Sequence, residues 1–336
     1  MPMSKDQFGR KIDYLRISVT DRCNYRCRYC MPEEGITLMA HEKLLSFEDI
    51  EFFVKVAAQE GIKNIRLTGG EPLVRPHLAD LIKLLKQIEG IEDISITTNA
   101  ALLPRFADEL KAAGLDRVNI SLDTLDPEAF KYVTRRGKVE EALAGIECAL
   151  AYDFAPVKIN TVVVRSLEQD FESFIKLAYE KPLSVRFIEY MPVGDSAGFD
   201  ETGWSIEDTI PSKELIHTIS ELGEKMGLGP LERLDDNRVY GHGPASYYSF
   251  EGAKGSIGFI NALSNHFCFK CNRLRLTSEG ELRPCLFSDL EYDLSEAIKT
   301  RDVEKTREGL TEALKTKPRD HHDRIGTDRL MSQIGG

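Results

Sequence analysis

Apolar, β-branched runs recur along the first part of the chain, at Tyr14–Thr20, Asn64–Gly69, Asp93–Asn99, Arg117–Asp123, Val157–Arg165 and Val185–Pro192. Between them the pattern changes to helical spacing. After Ser46, a capping residue with the acidic Asp49 three positions on, Phe47, Ile50, Val54 and Ala57 fall on one helical face. The same spacing covers His77–Ile88, Pro104–Ala113, Val139–Tyr152 and Phe171–Tyr179. Strand–helix alternation at intervals of roughly 25–40 residues predicts βαβ units and a parallel sheet. Six such units predict an α/β fold: a partial (β/α)6 TIM-like barrel, open along one side, with a smaller C-terminal α+β domain. The boundary is expected near Gly227, dividing the chain into 1–227 and 228–336.

Polar motifs collect at the predicted strand ends. The first strand runs into a loop holding Cys23, and the second into Thr68-Gly69-Gly70-Glu71-Pro72. The third ends in Thr97-Thr98-Asn99, the fourth in Ser121-Leu122-Asp123 and the sixth in Glu189-Tyr190-Met191. In barrels of this kind the C-terminal strand ends carry the chemistry. Glycines there let backbone approach a ligand closely, and Glu71 can anchor an amino group. Taken alone, the Gly-Gly-Glu-Pro stretch is an ordinary turn.

Of the seven cysteines, six form two trios: Cys23, Cys27 and Cys30, then Cys268, Cys271 and Cys285. Each trio is one ligand short of a closed tetrahedral zinc site or a fully ligated four-iron cluster, so each leaves a metal position open. The tight spacing of the first trio lets one loop wrap three corners of an iron–sulfur cube. A zinc site completed by a remote ligand, or unrelated core cysteines, remain alternatives at this point. Cys148, among Ala142, Leu143, Ile146 and Ala149, reads as a small core residue. After the second trio, Arg273-Leu274-Arg275-Leu276 alternates as a strand with both arginines on one face. Two guanidiniums beside a cluster invite an anionic ligand, with salt bridging to the abundant acids as the other reading.

Composition narrows the classes. Hydrophobic content of 42% and charged content of 29% are ordinary for a soluble globular protein. Met1–Lys11 holds no apolar stretch of signal-peptide length, and no run reaches membrane-spanning length, so no membrane association is expected. The expected compartment is the cytoplasm, where reduced thiols favour metal ligation over disulfides. A net charge of −11 argues against nucleic acid as a partner but leaves room for an anionic small molecule. Gly241-His-Gly243-Pro lacks the third glycine of a dinucleotide fingerprint, and there is no Gly-Lys-Ser/Thr phosphate loop. His321 and His322, in a polar tail, read as solvated rather than as metal ligands.

The first trio with the Gly-Gly-Glu-Pro loop resembles the radical S-adenosylmethionine (SAM) superfamily. That resemblance implies a [4Fe–4S] cluster on Cys23, Cys27 and Cys30, with SAM chelating the open iron. One-electron reduction then yields a hydrogen-abstracting 5′-deoxyadenosyl radical. Tyr29, Gly70, Glu71, Ser121 and Met191 match SAM-binding positions. The second trio, Tyr14-Leu-Arg16-Ile-Ser-Val-Thr-Asp21, Arg66-Leu-Thr-Gly-Gly-Glu-Pro72, Arg186-Phe-Ile-Glu189 and Ile334-Gly335-Gly336 extend the likeness to the GTP 3′,8-cyclase family, over essentially the whole chain. Gly194–Gly255 matches no motif of that family.

The family resemblance implies a second [4Fe–4S] cluster on Cys268, Cys271 and Cys285 that takes the guanine. GTP is then held by Arg16, Arg66, Thr97, Lys158, Arg273, Leu274 and Arg275. Arg16, Gly335 and Gly336 carry catalytic roles, the glycine tail entering the site where a Cβ would clash. The reaction joins C3′ to C8, giving 3′,8-cyclo-7,8-dihydro-GTP, the first step of molybdenum cofactor biosynthesis. Implied partners are a flavodoxin or ferredoxin-type electron donor, a downstream cyclic pyranopterin monophosphate synthase and a second copy in a homodimer. The competing readings are another radical SAM enzyme with an auxiliary cluster, such as a peptide-modifying maturase, and a non-catalytic metal-binding module.

Overall fold

The computed structural model describes residues 5–191, 204–235, 243–321, 327 and 329–335. Six parallel strands lie side by side in chain order: β1 (Tyr14–Ser18), β2 (Asn64–Thr68), β3 (Asp93–Thr98), β4 (Arg117–Ser121), β5 (Val157–Val163) and β6 (Leu183–Glu189). The crossovers are the helices α1 (Phe47–Gln59), α2 (Leu78–Lys86), α3 (Leu103–Ala112), α4 (Pro127–Thr134), α5 (Val139–Ala151) and α6 (Phe171–Glu180). The partial α/β barrel expected from periodicity is present. At α1 the cap forms as expected: Asp49 N–H donates to Ser46 Oγ at 3.1 Å, and Ser46 N–H donates to Asp49 Oδ2 at 2.8 Å. Ile50, Phe53, Val54 and Ala57 then enter the core. Each large side chain buried this way contributes ~1.5–3 kcal/mol.

The alternation within strands divides the barrel into a polar inside and an apolar outside. In β1, Leu15 and Ile17 are wholly buried in the core under the helices, while Tyr14 and Arg16 line the interior cavity. The same holds for Ile65 and Leu67 against Arg66 and Thr68 in β2, and for Ile94 and Ile96 against Thr97 in β3. Period-two alternation in a parallel sheet therefore marks which face receives a ligand.

The C-terminal part adds α7 (Ser212–Lys225), β7 (Glu232–Arg233), β8 (Ser246–Ser249), β9 (Ser256–Ile260), β10 (Arg273–Leu276), β11 (Glu281–Arg283) and β12 (Tyr292–Asp293). Among the described residues these strands form no sheet of their own. β9 pairs in parallel with β6, and β10 pairs in parallel with β1, so the order is β12-β11-β10-β1-β2-β3-β4-β5-β6-β9-β8-β7. The first and last barrel strands thus both find partners from the distant half of the sequence. The helices α8 (Ser295–Lys299) and α9 (Val303–Lys315) pack on α1. Arg301 Nη1 lies 2.6 Å from Asp49 Oδ1, and Arg307 Nε lies 2.8 Å from Glu60 Oε1. A last short helix, α10 (Met331–Ile334), leads to Gly335. Among the described residues no helix is long and apolar enough to cross a membrane.

Candidate active site

Both cysteine trios line one cavity at the C-terminal ends of the barrel strands. The first sits on the loop after β1, which is fixed along the end of α4. Arg26 N–H donates to Thr134 O at 3.1 Å and Arg28 N–H to Val133 O at 2.9 Å. Burial pushes the Cys23 thiol up to about 11 and raises Cys27 and Cys30 well above the usual thiol range, with the neighbouring cysteines adding to both. Three half-buried sulfurs whose thiolate forms would repel one another are a ligand set that needs cationic metal to ionise.

Zinc ligands at about 2.3 Å from the metal lie about 3.8 Å from one another. Among the described residues, neither trio forms a group whose ligand atoms all lie within 4.8 Å of one another. Three cysteines that leave one metal position open fit a multi-iron cluster.

Around the first trio, Gly69 and Gly70 press on the cysteine loop. A Cβ on Gly70 would lie 2.3 Å from Arg22 O, and Gly69 holds φ +146°. Glu71 is buried and engaged by the neighbouring strand end: Thr98 Oγ1 donates to Oε1 at 2.7 Å and Asn99 N–H to Oε2 at 2.7 Å. Its carboxyl is pushed up to about 7 by burial, against those donors. Ser121 lines the cavity at the end of β4. Beside it is a residue to which sequence reasoning gave no role, Asp123, which accepts from Tyr29 Oη at 2.6 Å and from Val162 N–H at 2.9 Å. Burial lifts this carboxyl to about 6 despite the two donors. Its position at a strand end was the available signal. Met191 also lines the cavity but packs with Phe287, Ile334 and Leu263, on the side of the second trio.

The second trio is held from several directions. Cys271 N–H donates to Cys268 O at 3.1 Å, and Arg10 Nη1 donates to the same carbonyl at 2.7 Å. Burial alone would raise the Cys271 thiol, but Lys317, Arg273 and Arg10 bring it down to about 7. Lys317, buried and absent from the sequence-based candidates, donates to Arg273 O at 2.8 Å and Pro284 O at 2.5 Å. His321 corrects the solvated-tail expectation. It is buried, with Nδ1 3.2 Å from Cys268 Sγ and its ring stacked on Phe287. A polar local sequence does not reveal that the tail folds back over the trio. His322 lies outside the described residues. Cys148 packs against the core from α5, as expected of a small hydrophobe.

Between the trios lies a basic floor. Register places Arg275, Arg16 and Arg66 side by side on β10, β1 and β2. Arg273 on β10 and Arg186 on β6 also line the cavity. Burial first, and then neighbouring arginines, lower all three: Arg66 and Arg275 to about 10, and Arg16 well below its usual range. Arg16 Nε and Thr97 Oγ1 are buried without a hydrogen-bond partner. Lys158 is buried on the same face of β5, its Nζ 5.9 Å from the Tyr247 ring centre, and is not among the cavity-lining residues. Burial and then Arg186, Arg117 and Arg66 lower its ammonium to about 6. Leu274 points to the apolar side of the sheet and is core.

Gly335 is buried at the open ends of β1 and β2. Its carbonyl accepts from Arg275 Nη1 at 2.8 Å, its φ is +68°, and a Cβ there would lie 2.4 Å from Thr68 Oγ1. Gly336 lies outside the described residues. The tail is also fixed upstream, where Arg329 pairs with Glu279, Glu281 and Glu291, the last at 2.6 Å. Glu189, at the end of β6, ties the second trio's arm to the barrel. It accepts from Ser212 N–H and Leu263 N–H at 2.8 Å each, from Ser264 N–H at 2.9 Å and from Ser212 Oγ at 2.9 Å, with Ser264 Oγ also donating.

A parallel partial barrel with an open cysteine trio at its strand ends defines a radical SAM protein, and residues 17–178 match the Radical SAM superfamily model. Residues 183–323 match the model described as Molybdenum Cofactor Synthesis C. The chain is 48% identical over 337 residues to a GTP 3′,8-cyclase of Heliobacterium modesticaldum, covering 98% of this chain and 99% of the relative. It is 46% identical over 336 residues to one of Moorella thermoacetica, covering 99% and 100%. The chain belongs to the GTP 3′,8-cyclase family. As a member, it uses [4Fe–4S] clusters and SAM as cofactors. Among solved structures it resembles Streptococcus suis SuiB bound to precursor peptide SuiA, with TM-score 0.58 at 15% identity over 89% of this chain and 66% of that one. It also resembles anSMEcpe with bound AdoMet, with TM-score 0.56 at 16% identity over 90% and 81%. At these identities the likeness is one of fold.

Proposed function

We infer that this chain catalyses the GTP 3′,8-cyclase reaction, joining C3′ of GTP to its C8 in the opening step of molybdenum cofactor biosynthesis. The observation that carries the reading is the pair of open-sided trios sharing one cavity over a basic floor. The first trio would hold the cluster that works with SAM, beside Tyr29, Gly70, Glu71 and Ser121, with Met191 contributing from the second trio's side of the same cavity. The second, on Cys268, Cys271 and Cys285, would hold the cluster that takes the guanine. Bound together, cluster and SAM supply a radical able to abstract hydrogen from a ribose carbon.

The chain's own residues bind, orient and enclose. Arg16, Arg66, Arg273 and Arg275 repel one another across the cavity, and a triphosphate would relieve that repulsion while matching their forks. Thr97 Oγ1 and Arg16 Nε, each buried without a partner, gain one. Lys158 strengthens the field behind them, and backbone at Leu274 keeps the two flanking arginines on one face. Gly335 fills the gap beside Arg275 with no Cβ, so the Gly335–Gly336 tail can exclude water where the reacting carbons meet. In this reading residues 1–227 serve SAM, and 228–336 supply the second trio and tail. The enzyme works in the cytoplasm as a homodimer. It draws electrons from a flavodoxin or ferredoxin-type donor, and its product passes to a cyclic pyranopterin monophosphate synthase.

A basic floor of this density favours a phosphorylated substrate over a peptide. The test uses anaerobically reconstituted protein with SAM, dithionite and GTP deuterated at C3′. Deuterium in the released 5′-deoxyadenosine, with a cyclised GTP product, is expected. Unlabelled 5′-deoxyadenosine formed at the same rate without GTP would remove the substrate assignment.

A further inference from the structure

The reaction proposed above consumes an electron delivered to the first trio's cluster, and on that reading the structure marks where the electron enters. The cavity side of the cysteine loop faces the substrates. Its other side is backed by residues 131–138, which are joined to it one residue away from Cys27: Arg26 N–H donates to Thr134 O and Arg28 N–H to Val133 O. A carrier resting on that backing segment is separated from the cluster ligands by a single layer of chain.

The surface there differs from the rest of the protein. Segments 22–38 and 128–138 hold seven basic residues against three acidic ones, Glu33, Glu34 and Glu128, a local balance of +4 in a chain of net −11. Arg26 and Arg135 turn inward onto loop carbonyls, at 2.7 Å to Cys23 O and 3.0 Å to Arg26 O. Arg22, Lys131, Arg136 and Lys138 are exposed. Tyr132 is 46% exposed and Leu38 50%. Arg28 lies 4.1 Å over the Tyr132 ring and donates to Tyr132 O at 2.9 Å, which holds the aromatic upright. An exposed tyrosine with cations on both sides of it in the chain is the composition of a small, transient interface.

We propose that this face, centred on Tyr132 with Lys131, Arg136 and Lys138, docks an acidic one-electron carrier protein that reduces the first cluster. The transfer is one electron: the carrier is oxidised by one equivalent and the cluster reduced by one, with no bond or proton moving. Opposite charge on the two partners raises the encounter rate and makes it salt-dependent, while a small apolar centre keeps dissociation fast enough for turnover.

The test is the charge-reversed variant Lys131→Glu/Arg136→Glu/Lys138→Glu in the reconstituted two-cluster protein, with a flavodoxin and a ferredoxin as probes. Association with each oxidised carrier is titrated at low and at high salt, and turnover is driven once by the reduced carrier and once by dithionite. The parent should bind one of the carriers, and the variant should bind it about tenfold more weakly at low salt, the difference vanishing as salt rises. Carrier-driven turnover should fall in parallel while dithionite-driven turnover stays at the parent rate. If reversal also lowers the dithionite rate, the neutral variant Lys131→Gln/Arg136→Gln replaces it, with about a threefold weakening expected. Equal affinity in parent and variant, or a parent that binds neither carrier, overturns the proposal. Failure of the parent to turn over GTP with dithionite would instead strike the functional reading, leaving the binding comparison to judge the surface.

Discussion

Replacing Glu189 by glutamine (Glu189→Gln) should release the arm that carries the second trio. The carboxylate receives five donors from two directions, with the Ser212 pair and Ser264 Oγ on Oε1 and the Leu263 and Ser264 amides on Oε2. Glutamine offers one oxygen. If that oxygen takes the Oε1 place, an NH2 group faces two backbone amides, and both lose a charged acceptor inside the protein. Charge-assisted hydrogen bonds contribute about 1.5–3 kcal/mol each, so the loss is about 3–6 kcal/mol, reduced by whatever water reaches the loop. For a chain of this size that corresponds to a drop in the thermal midpoint of roughly 4–9 °C. The released segment, Leu263–Ser264, leads directly to Cys268, so the second cluster should be the one lost. Iron per reconstituted chain should fall from about eight toward four, with the first cluster still responding to SAM by electron paramagnetic resonance. The pH dependence has a definite sign. Burial would raise the Glu189 carboxyl, but its donors hold it below the usual range, so the folded value is under the unfolded one. Its stabilisation is therefore complete above about pH 4.3 and fades as pH falls through the folded value. A midpoint within 2 °C of the parent, or iron loss shared equally by both clusters, would refute the assignment.

Three further outcomes are expected. Gly335→Ala forces a Cβ toward Thr68 Oγ1 and costs ~1–2 kcal/mol in the left-handed backbone, so 5′-deoxyadenosine formation should slow about tenfold with little change in midpoint; a rate within twofold of the parent would dismiss the tail's role. Arg329→Ala leaves three carboxylates without their shared cation and should speed amide exchange of residues 330–335 about tenfold, which exchange measured by mass spectrometry checks directly. Lys158 stands near 6, below its unfolded value of about 10.4, so the unfolded chain binds more protons and stability should rise with pH between those limits. GTP binding near pH 7.5 should accordingly take up protons, and titration calorimetry in buffers of different ionisation enthalpy would detect it; zero uptake excludes this role for Lys158.

The barrel was legible in the sequence because its signals are local. Alternation in Tyr14–Ser18 and Asn64–Thr68, helical spacing after Ser46 and cysteines three and two residues apart are all read within a few positions. Even the polarity of the two sheet faces is written in Arg16 between Leu15 and Ile17. What escaped depends on pairing across the chain. Nothing near Arg273 states that its strand will lie against Tyr14, nor does anything near Ser256 announce Ser184. Lys317 and His321 sit in sequence that reads as exposed and become buried only because the tail crosses the second trio. Asp123 was visible at a strand end, but its pairing with Tyr29 needed the loop and the strand together.

The pairing of β10 with β1 also has a consequence for how the chain is made. The β1 edge emerges early from the ribosome, yet its outer partner is synthesised more than 250 residues later. At about 5–20 residues per second that interval is roughly 13–50 s, during which an apolar parallel strand has one open edge. An open edge is a template for pairing with other chains. The nascent barrel therefore depends on something transient to shield Tyr14–Ser18, either a chaperone or the N-terminal segment folding back. Synthesis slowed between residues 19 and 272 should raise aggregation more than slowing after residue 276, since only the former lengthens the exposure.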